Sequence, residues 1–201
     1  MGGVSKDQTV VKLTRFAADE GYHNLDNVVL VGMPGAGKST AGVLLAKTLG
    51  YGFLDTDILL QQREGALLQT ILDTRGADAF LDAEEAVISA LDCRCTVIAP
   101  GGSAICRKGA MARLKELGPV IYLRLSCASV EERLSNIRTR GVVMAPGQTI
   151  RSLYDARAPL YLSCADRTVD ADGQTPEETV CAVLRALDEL KTNGKGCYNG
   201  F

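Results

Sequence analysis

The chain has 201 residues, 46% of them hydrophobic, which is enough to bury one compact core. A net charge of −2 gives no basic field for nucleic acid or an anionic membrane, and no apolar run reaches membrane-spanning length or forms a signal-peptide core, so a soluble, cytoplasmic protein is expected. Seven cysteines, an odd number with several in apolar segments, fit reduced buried thiols better than a disulfide framework, and neither Cys93-Arg94-Cys95 nor the sole histidine, His23, has the spacing of a structural metal site.

Residues 1–26 read as an N-terminal appendage. Within it, residues 7–20 are weakly helical and carry Val10, Val11, Leu13, Phe16 and Ala17 on one side, a stripe short enough to favour packing on the domain over partner docking. The domain itself, residues 27–190, opens on the β-branched run Val28-Val29-Leu30-Val31. That run breaks into Gly32-Met33-Pro34-Gly35-Ala36-Gly37-Lys38-Ser39 and then into Thr40-Ala41-Gly42-Val43-Leu44-Leu45-Ala46, whose apolar positions recur with helical spacing. A glycine-rich turn between a buried strand and a helix is a phosphate cradle. Its glycines let backbone N–H groups turn toward a polyphosphate, and the helix points its positive end at the same place. The pattern G-x-x-x-x-G-K-[ST] is complete: Lys38 reaches the β- and γ-phosphates of ATP, and Ser39 is placed to ligate Mg²⁺.

Gly50-Tyr51-Gly52 ends the first helix, and Phe53-Leu54-Asp55 reads as a second strand ending in the carboxylates of Asp55 and Asp57. Residues 58–62, 67–74 and 77–91 have helical periodicity interrupted at Gly65 and Gly76, and read as a helical cover. A strand at 95–99 runs into Pro100-Gly101-Gly102-Ser103, a helix follows at 107–116, and a strand at 120–123 comes next. The spacing then predicts a helix at 128–137, the basic segment Arg138-Thr139-Arg140, a polar loop at 144–148 that could serve as a lid, and a helix at 149–158. A short strand at 167–170 precedes a last helix opened by Thr175 as N-cap and Pro176 at its first position. Residues 191–201 read as a loose glycine-rich tail. Strand and helix alternate throughout, so the fold class is α/β, a mostly parallel sheet flanked by helices with the phosphate loop on its first strand.

Two carboxylates two residues apart at a strand end can point different ways, Asp55 toward Mg²⁺ and Asp57, the candidate base, toward an acceptor hydroxyl. The competing use of either acid is to cap the helix that follows. Gly101 and Gly102 allow close backbone approach to an acceptor, and Arg133, Arg138, Arg140 and Arg157 supply fixed positive charge where a phosphoryl-transfer lid would close.

Taken together, residues 27–190 resemble the shikimate kinase family. Its pattern has a phosphate loop, a Phe-x-Asp-x-Asp strand end, a Phe-Arg-x-x-Glu segment, a Gly-Gly-Gly turn, an Arg-Pro-Leu-Leu lid and an Arg-x-Pro-Leu-Tyr helix end. Here the loop matches fully, Phe53-Leu54-Asp55-Thr56-Asp57 matches the paired acids, and Arg157-Ala158-Pro159-Leu160-Tyr161 matches the helix end. The resemblance implies a P-loop NTPase-type three-layer sandwich with a helical lid that moves a phosphoryl group from ATP, with Mg²⁺, to a small-molecule hydroxyl. It implies that Asp55 assists the metal, Asp57 contacts the acceptor hydroxyl, Arg133 lies over the adenine, Arg140 is the lid arginine and Arg157 binds the acceptor.

Two departures stand out. Phe80-Leu81-Asp82-Ala83-Glu84 has leucine where the pattern has arginine, and Ser103 replaces the third glycine. An arginine–carboxylate bond is worth ~1.5–3 kcal/mol, roughly 10- to 150-fold in affinity, so Leu81 weakens shikimate as the acceptor and suggests one less anionic. The competing readings are a kinase for another small polyol or sugar acid, and a nucleotide-binding regulatory module without transfer activity. The sequence leaves the oligomeric state open.

Overall fold

The computed structural model describes residues 27–135, 142–145 and 147–193. The expectations for residues 1–26, for Arg138 and Arg140 and for the tail from 194 lie outside the described residues. Strand β1 (Asn27–Val31) leads through the glycine loop into α1 (Lys38–Leu49), followed by β2 (Gly52–Asp55), α2 (Thr56–Glu64) and α3 (Leu68–Ser89). Then come β3 (Thr96–Ala99), a 3₁₀ turn (Ala104–Cys106), α4 (Lys108–Leu117), β4 (Val120–Arg124), α5 (Cys127–Ser135), α6 (Ile150–Cys164), β5 (Arg167–Asp170) and α7 (Pro176–Asn193).

The five strands form one parallel sheet in the order β2-β3-β1-β4-β5. Val28 lies opposite Val97 on β3, and Leu30 opposite Ile121 on β4, so the central strands are apolar on both faces as a doubly covered sheet requires. Helices α1 and α7 pack side by side, as do α3 and α4, and β1 touches both α1 and α4. A second, smaller core of Leu60, Ile71, Phe80, Val87 and Val143 lies under the cover made by α2 and α3. Among the described residues no helix is long and apolar enough to cross a membrane.

Local chemistry explains the breaks. Gly76 adopts φ 79° and ψ 171°, which interrupts α3 where the sequence places the boundary between two helices. Glu178 N–H bonds Thr175 Oγ1 and Thr175 N–H bonds Glu178 Oε2, a reciprocal cap that starts α7 at Pro176 as expected. Two expectations are corrected. The helix expected to stop at residue 158 continues through Pro159 to Cys164. The bond that a proline withholds is the one to the Asp155 carbonyl. That turn is exposed to water, and the buried side chains of Arg157 and Tyr161 hold the turns on either side. The six cysteines within the described residues are free thiols, but none is fully buried. Cys106, Cys127 and Cys164 sit at element ends and Cys93 and Cys95 in a connection, where the core no longer encloses a side chain, and Cys181, within α7, packs half-buried at the edge of the core.

Asn27 ties the α3–β3 connection, the end of α4 and the start of β3 to the start of β1. Its Nδ2 donates to Cys93 O and Leu117 O, both at 2.9 Å, and its Oδ1 accepts from Thr96 N–H at 3.1 Å. Replacing it with the isosteric Leu strands two carbonyls and one amide in a site that is 2% exposed. Asn27→Leu is expected to lower stability by about 2–4 kcal/mol, read as a lower urea midpoint at unchanged slope.

Candidate functional site

The carboxyl ends of β1, β2 and β3 share one edge of the sheet, where open α/β folds bind ligands, and a cleft of about 530 Å³ opens there. Its floor is the loop between β1 and α1. A Cβ on Gly32 would stand 2.7 Å from Leu123 O, so only glycine lets β1 leave the sheet at that point. Gly37 turns through φ 86° into α1, with no atom within 4 Å of the position a Cβ would take. Lys38 arches back over the loop, its Nζ donating to Gly32 O at 2.9 Å and Met33 O at 3.2 Å.

The loop residues divide in use. Pro34, Gly35, Gly37, Lys38, Ser39 and Thr40 line the cleft, whereas the Met33 side chain is buried in the core. The Ala36 amide closes the loop's own turn on Met33 O at 3.0 Å, and its methyl is buried. Ser39 Oγ donates to Asp55 Oδ2 at 2.7 Å, joining the start of α1 to the end of β2. Asp55 also caps α2, accepting from Asp57 N–H at 3.0 Å, which is the competing use that the sequence allowed for these acids. A hydroxyl and a carboxylate side by side are hard oxygen donors of the kind Mg²⁺ takes.

A second hollow of about 490 Å³ adjoins the other side of the loop, between Gly35, Thr40, Arg133, Gln174 and Pro176. Arg133 reaches it from α5 and donates Nη1 to Gly35 O at 3.1 Å, so this arginine rests on the phosphate loop itself.

The far end of the cleft is organised around the turn after β3. Gly101 N–H donates to the buried Thr56 Oγ1 at 3.2 Å. A Cβ on Gly101 would collide with Glu84 Oε1 and stand 2.6 Å from Asp57 Oδ1, and one on Gly102 would stand 2.8 Å from the Pro34 ring. The close approach predicted at both glycines is therefore made, in this structure, to the protein's own carboxylates and phosphate loop. Gly102 O accepts from Tyr161 Oη at 2.6 Å and Arg157 Nη1 at 3.2 Å, and Arg157 Nη2 donates to Val143 O at 2.8 Å. Arg157 lines the cleft as expected, but it is only 4% exposed and its fork is engaged by two backbone carbonyls. Leu81 is half-buried and turns into the second core beside Phe80.

Sequence reasoning missed Glu84. It is 2% exposed; Oε2 accepts from Ser103 Oγ at 2.7 Å, and Oε1 has no hydrogen-bond partner. Burial pushes its carboxyl up to about 7, against the pull of the Ser103 hydrogen bond and with the added push of the Asp57 charge. The signal was present: Phe80, Glu84, Val87 and Ile88 fall on one face of a helix, a carboxylate in an otherwise apolar buried stripe.

Residues 34–188 match the family model described as shikimate kinase. The chain is 40% identical to the shikimate kinase of Pseudomonas paraeruginosa over 168 residues, 82% of this chain and 97% of that one. It is 35% identical to the shikimate kinase of Thermodesulfovibrio yellowstonii over 174 residues, 85% and 99% of the two chains. The solved structure of shikimate kinase from Acinetobacter baumannii in complex with shikimate superposes with a TM-score of 0.77 at 29% identity, covering 86% of this chain and 98% of that one.

The raised carboxyl of Glu84 carries a pH signature. Because the folded protein holds this proton up to about pH 7 and the unfolded chain releases it near 4.3, the folded state binds more protons between those values and stability falls as pH rises through them. Relative to Glu84→Gln, the wild type is expected to lose on the order of 3 kcal/mol between about pH 4.5 and 7 and to change little above that. Urea titrations of both proteins at a series of pH values read the difference directly.

Proposed function

Because the chain belongs to the shikimate kinase family, it is a kinase that passes a phosphoryl group from ATP to a hydroxyl of a small molecule, and we propose that Lys38, Asp57 and Arg140 carry the transfer. The observation behind this reading is the convergence of Lys38, the Ser39–Asp55 pair and Asp57 on one cleft. The loop from Gly32 to Thr40 holds the phosphates, and Lys38 swings from its two loop carbonyls to the charge that grows on the transferring group. Arg133 and the hollow beside it take the adenine. Ser39 and Asp55 would hold Mg²⁺, which neutralises phosphate charge when bound. Asp57 accepts the proton of the attacking hydroxyl, and Gly101, Gly102 and Arg157 hold the acceptor, Gly102 and Arg157 from the cleft lining. Arg140 completes the phosphate contacts from the lid, a role assigned on sequence alone. In this reading residues 27–190 are the catalytic unit, flanked by an appendage at 1–26 and a tail at 191–201.

Shikimate is the first acceptor to test. A second reading, a kinase for another polyol or sugar acid, draws support from Leu81, which packs into an apolar core, and from Arg157, whose guanidinium is already engaged. ADP release with and without hydroxyl compounds separates both from a module that only binds nucleotide, which would show no acceptor dependence. Lys38→Ala is expected to abolish transfer, and wild-type turnover in that variant would overturn the assignment. Asp57→Asn is expected to cut kcat by ~10²–10⁴-fold while ATP binding stays near normal, whereas Asp55→Asn raises the Mg²⁺ concentration needed for half-maximal rate.

A further inference from the structure

One departure from the family pattern lands on a buried carboxyl group and the other lies one turn before it. Leu81 places an aliphatic, half-buried side chain one turn before Glu84 and packs it against the core that holds Phe80. Ser103 places on Glu84 Oε2 a hydroxyl that a glycine would not have. Glu84 is thus held by one oxygen while the other is buried without a hydrogen-bond partner, a state that costs free energy until a donor arrives.

The surroundings define the donor. Glu84 Oε1 and Asp57 Oδ1 flank the same bare face of Gly101, so two acids stand close together at the turn after β3, Asp57 in the cleft lining and Glu84 buried, with its neighbours Phe80 and Ser103 in that lining. A third anion there is repelled, and a hydrogen-bond donor is drawn in. Among the described residues the cations lining the cleft are Lys38, on the phosphate loop, and Arg157, engaged by Gly102 O and Val143 O. The nearby walls, Leu68, Phe80 and Val143, are apolar.

We propose that Glu84, held by Ser103 beside Asp57, reads the acceptor by accepting a hydrogen bond from one of its hydroxyl or ammonium groups, so that the acceptor is a small polyol or amino alcohol presenting no carboxylate at this end. The inference rests on the kinase reading above and names its acceptor class. One acceptor hydroxyl gives its proton to Asp57 as its oxygen bonds the γ-phosphorus and the bond to the ADP oxygen breaks. A second donor of the same molecule sits on Glu84. The raised affinity of Glu84 for its proton agrees with a group that exchanges hydrogen bonds with uncharged partners and ionises fully when a cation binds.

Three compounds with the same ring hydroxyls test this: shikimate, its carboxamide, and the analogue with an aminomethyl group in place of the carboxylate. Binding of each is measured by calorimetry with ADP and Mg²⁺ present, and ADP release is measured separately with ATP. The carboxamide and the amine are expected to bind wild type at least ~10-fold more tightly than shikimate. Glu84→Gln is expected to shrink the advantage of the amine over shikimate by ~10-fold with the ADP Kd unchanged; Ser103→Gly, which removes only the hydroxyl, shrinks it in the same direction. A merely structural role for Glu84 would lower the melting temperature and weaken all three compounds alike, leaving that ratio fixed. Equal or tighter binding of shikimate, binding of none of the three, or a ratio unchanged in Glu84→Gln overturns the proposal. Failure of these three and of a wider set of polyols and sugar acids to stimulate ADP release overturns the kinase reading instead, and the binding order still judges Glu84.

Discussion

Parallel pairing of all five strands is the constraint from which the site follows. It sends the carboxyl ends of β1, β2 and β3 to one edge, so that the glycine loop, Asp55 and the Gly101-Gly102 turn become neighbours although residues 40–100 lie between the first and the last. The order β2-β3-β1-β4-β5 then sets which ends adjoin. Asp55 at the end of β2 is brought to Ser39 at the start of α1, and the turn after β3 lies against the phosphate loop at Pro34.

That closeness is possible because side chains are missing where the connections cross. Gly32 passes under Leu123 O, Gly101 turns its bare face to two carboxyl groups, and Gly102 lies on Pro34. A methyl group at any of these points would push a connection away from the cleft. The same turn gathers Gly102 O under both Tyr161 and Arg157, and Tyr161 stacks on Tyr122 with ring centroids 5.1 Å apart. The α6 helix is thereby fixed to the sheet through the end of the cleft that the turn after β3 forms.

Burial gives this end of the cleft its chemistry. Arg157 at 4% exposure and Glu84 at 2% are charged residue types that rarely enter a protein interior, and each survives there through hydrogen bonds to specific partners. Arg157 has two carbonyls; Glu84 has one hydroxyl and one unmatched oxygen. An imbalance of that kind leaves a buried oxygen in want of a donor, the role proposed above for the acceptor.

The amino-acid sequence by itself determined the phosphate loop, the strand and helix order, the break at Gly76 and the N-cap at Thr175, because each depends on residues close together in the chain. Glycine at a tight turn, a hydroxyl at a helix start and apolar spacing are local signals that local geometry must obey. It also marked Leu81 and Ser103 as unusual positions, though without linking them. Only the tertiary structure decided that Asp55 serves Ser39 and α2 together, that Arg157 is held by two carbonyls, that Leu81 turns into a core, and that the Ser103 hydroxyl lands on Glu84. These are contacts between segments remote in sequence. Strand order and the packing of α3 and α6 around the turn after β3 fix them, and no periodicity along the chain encodes which distant partner a buried carboxyl will meet.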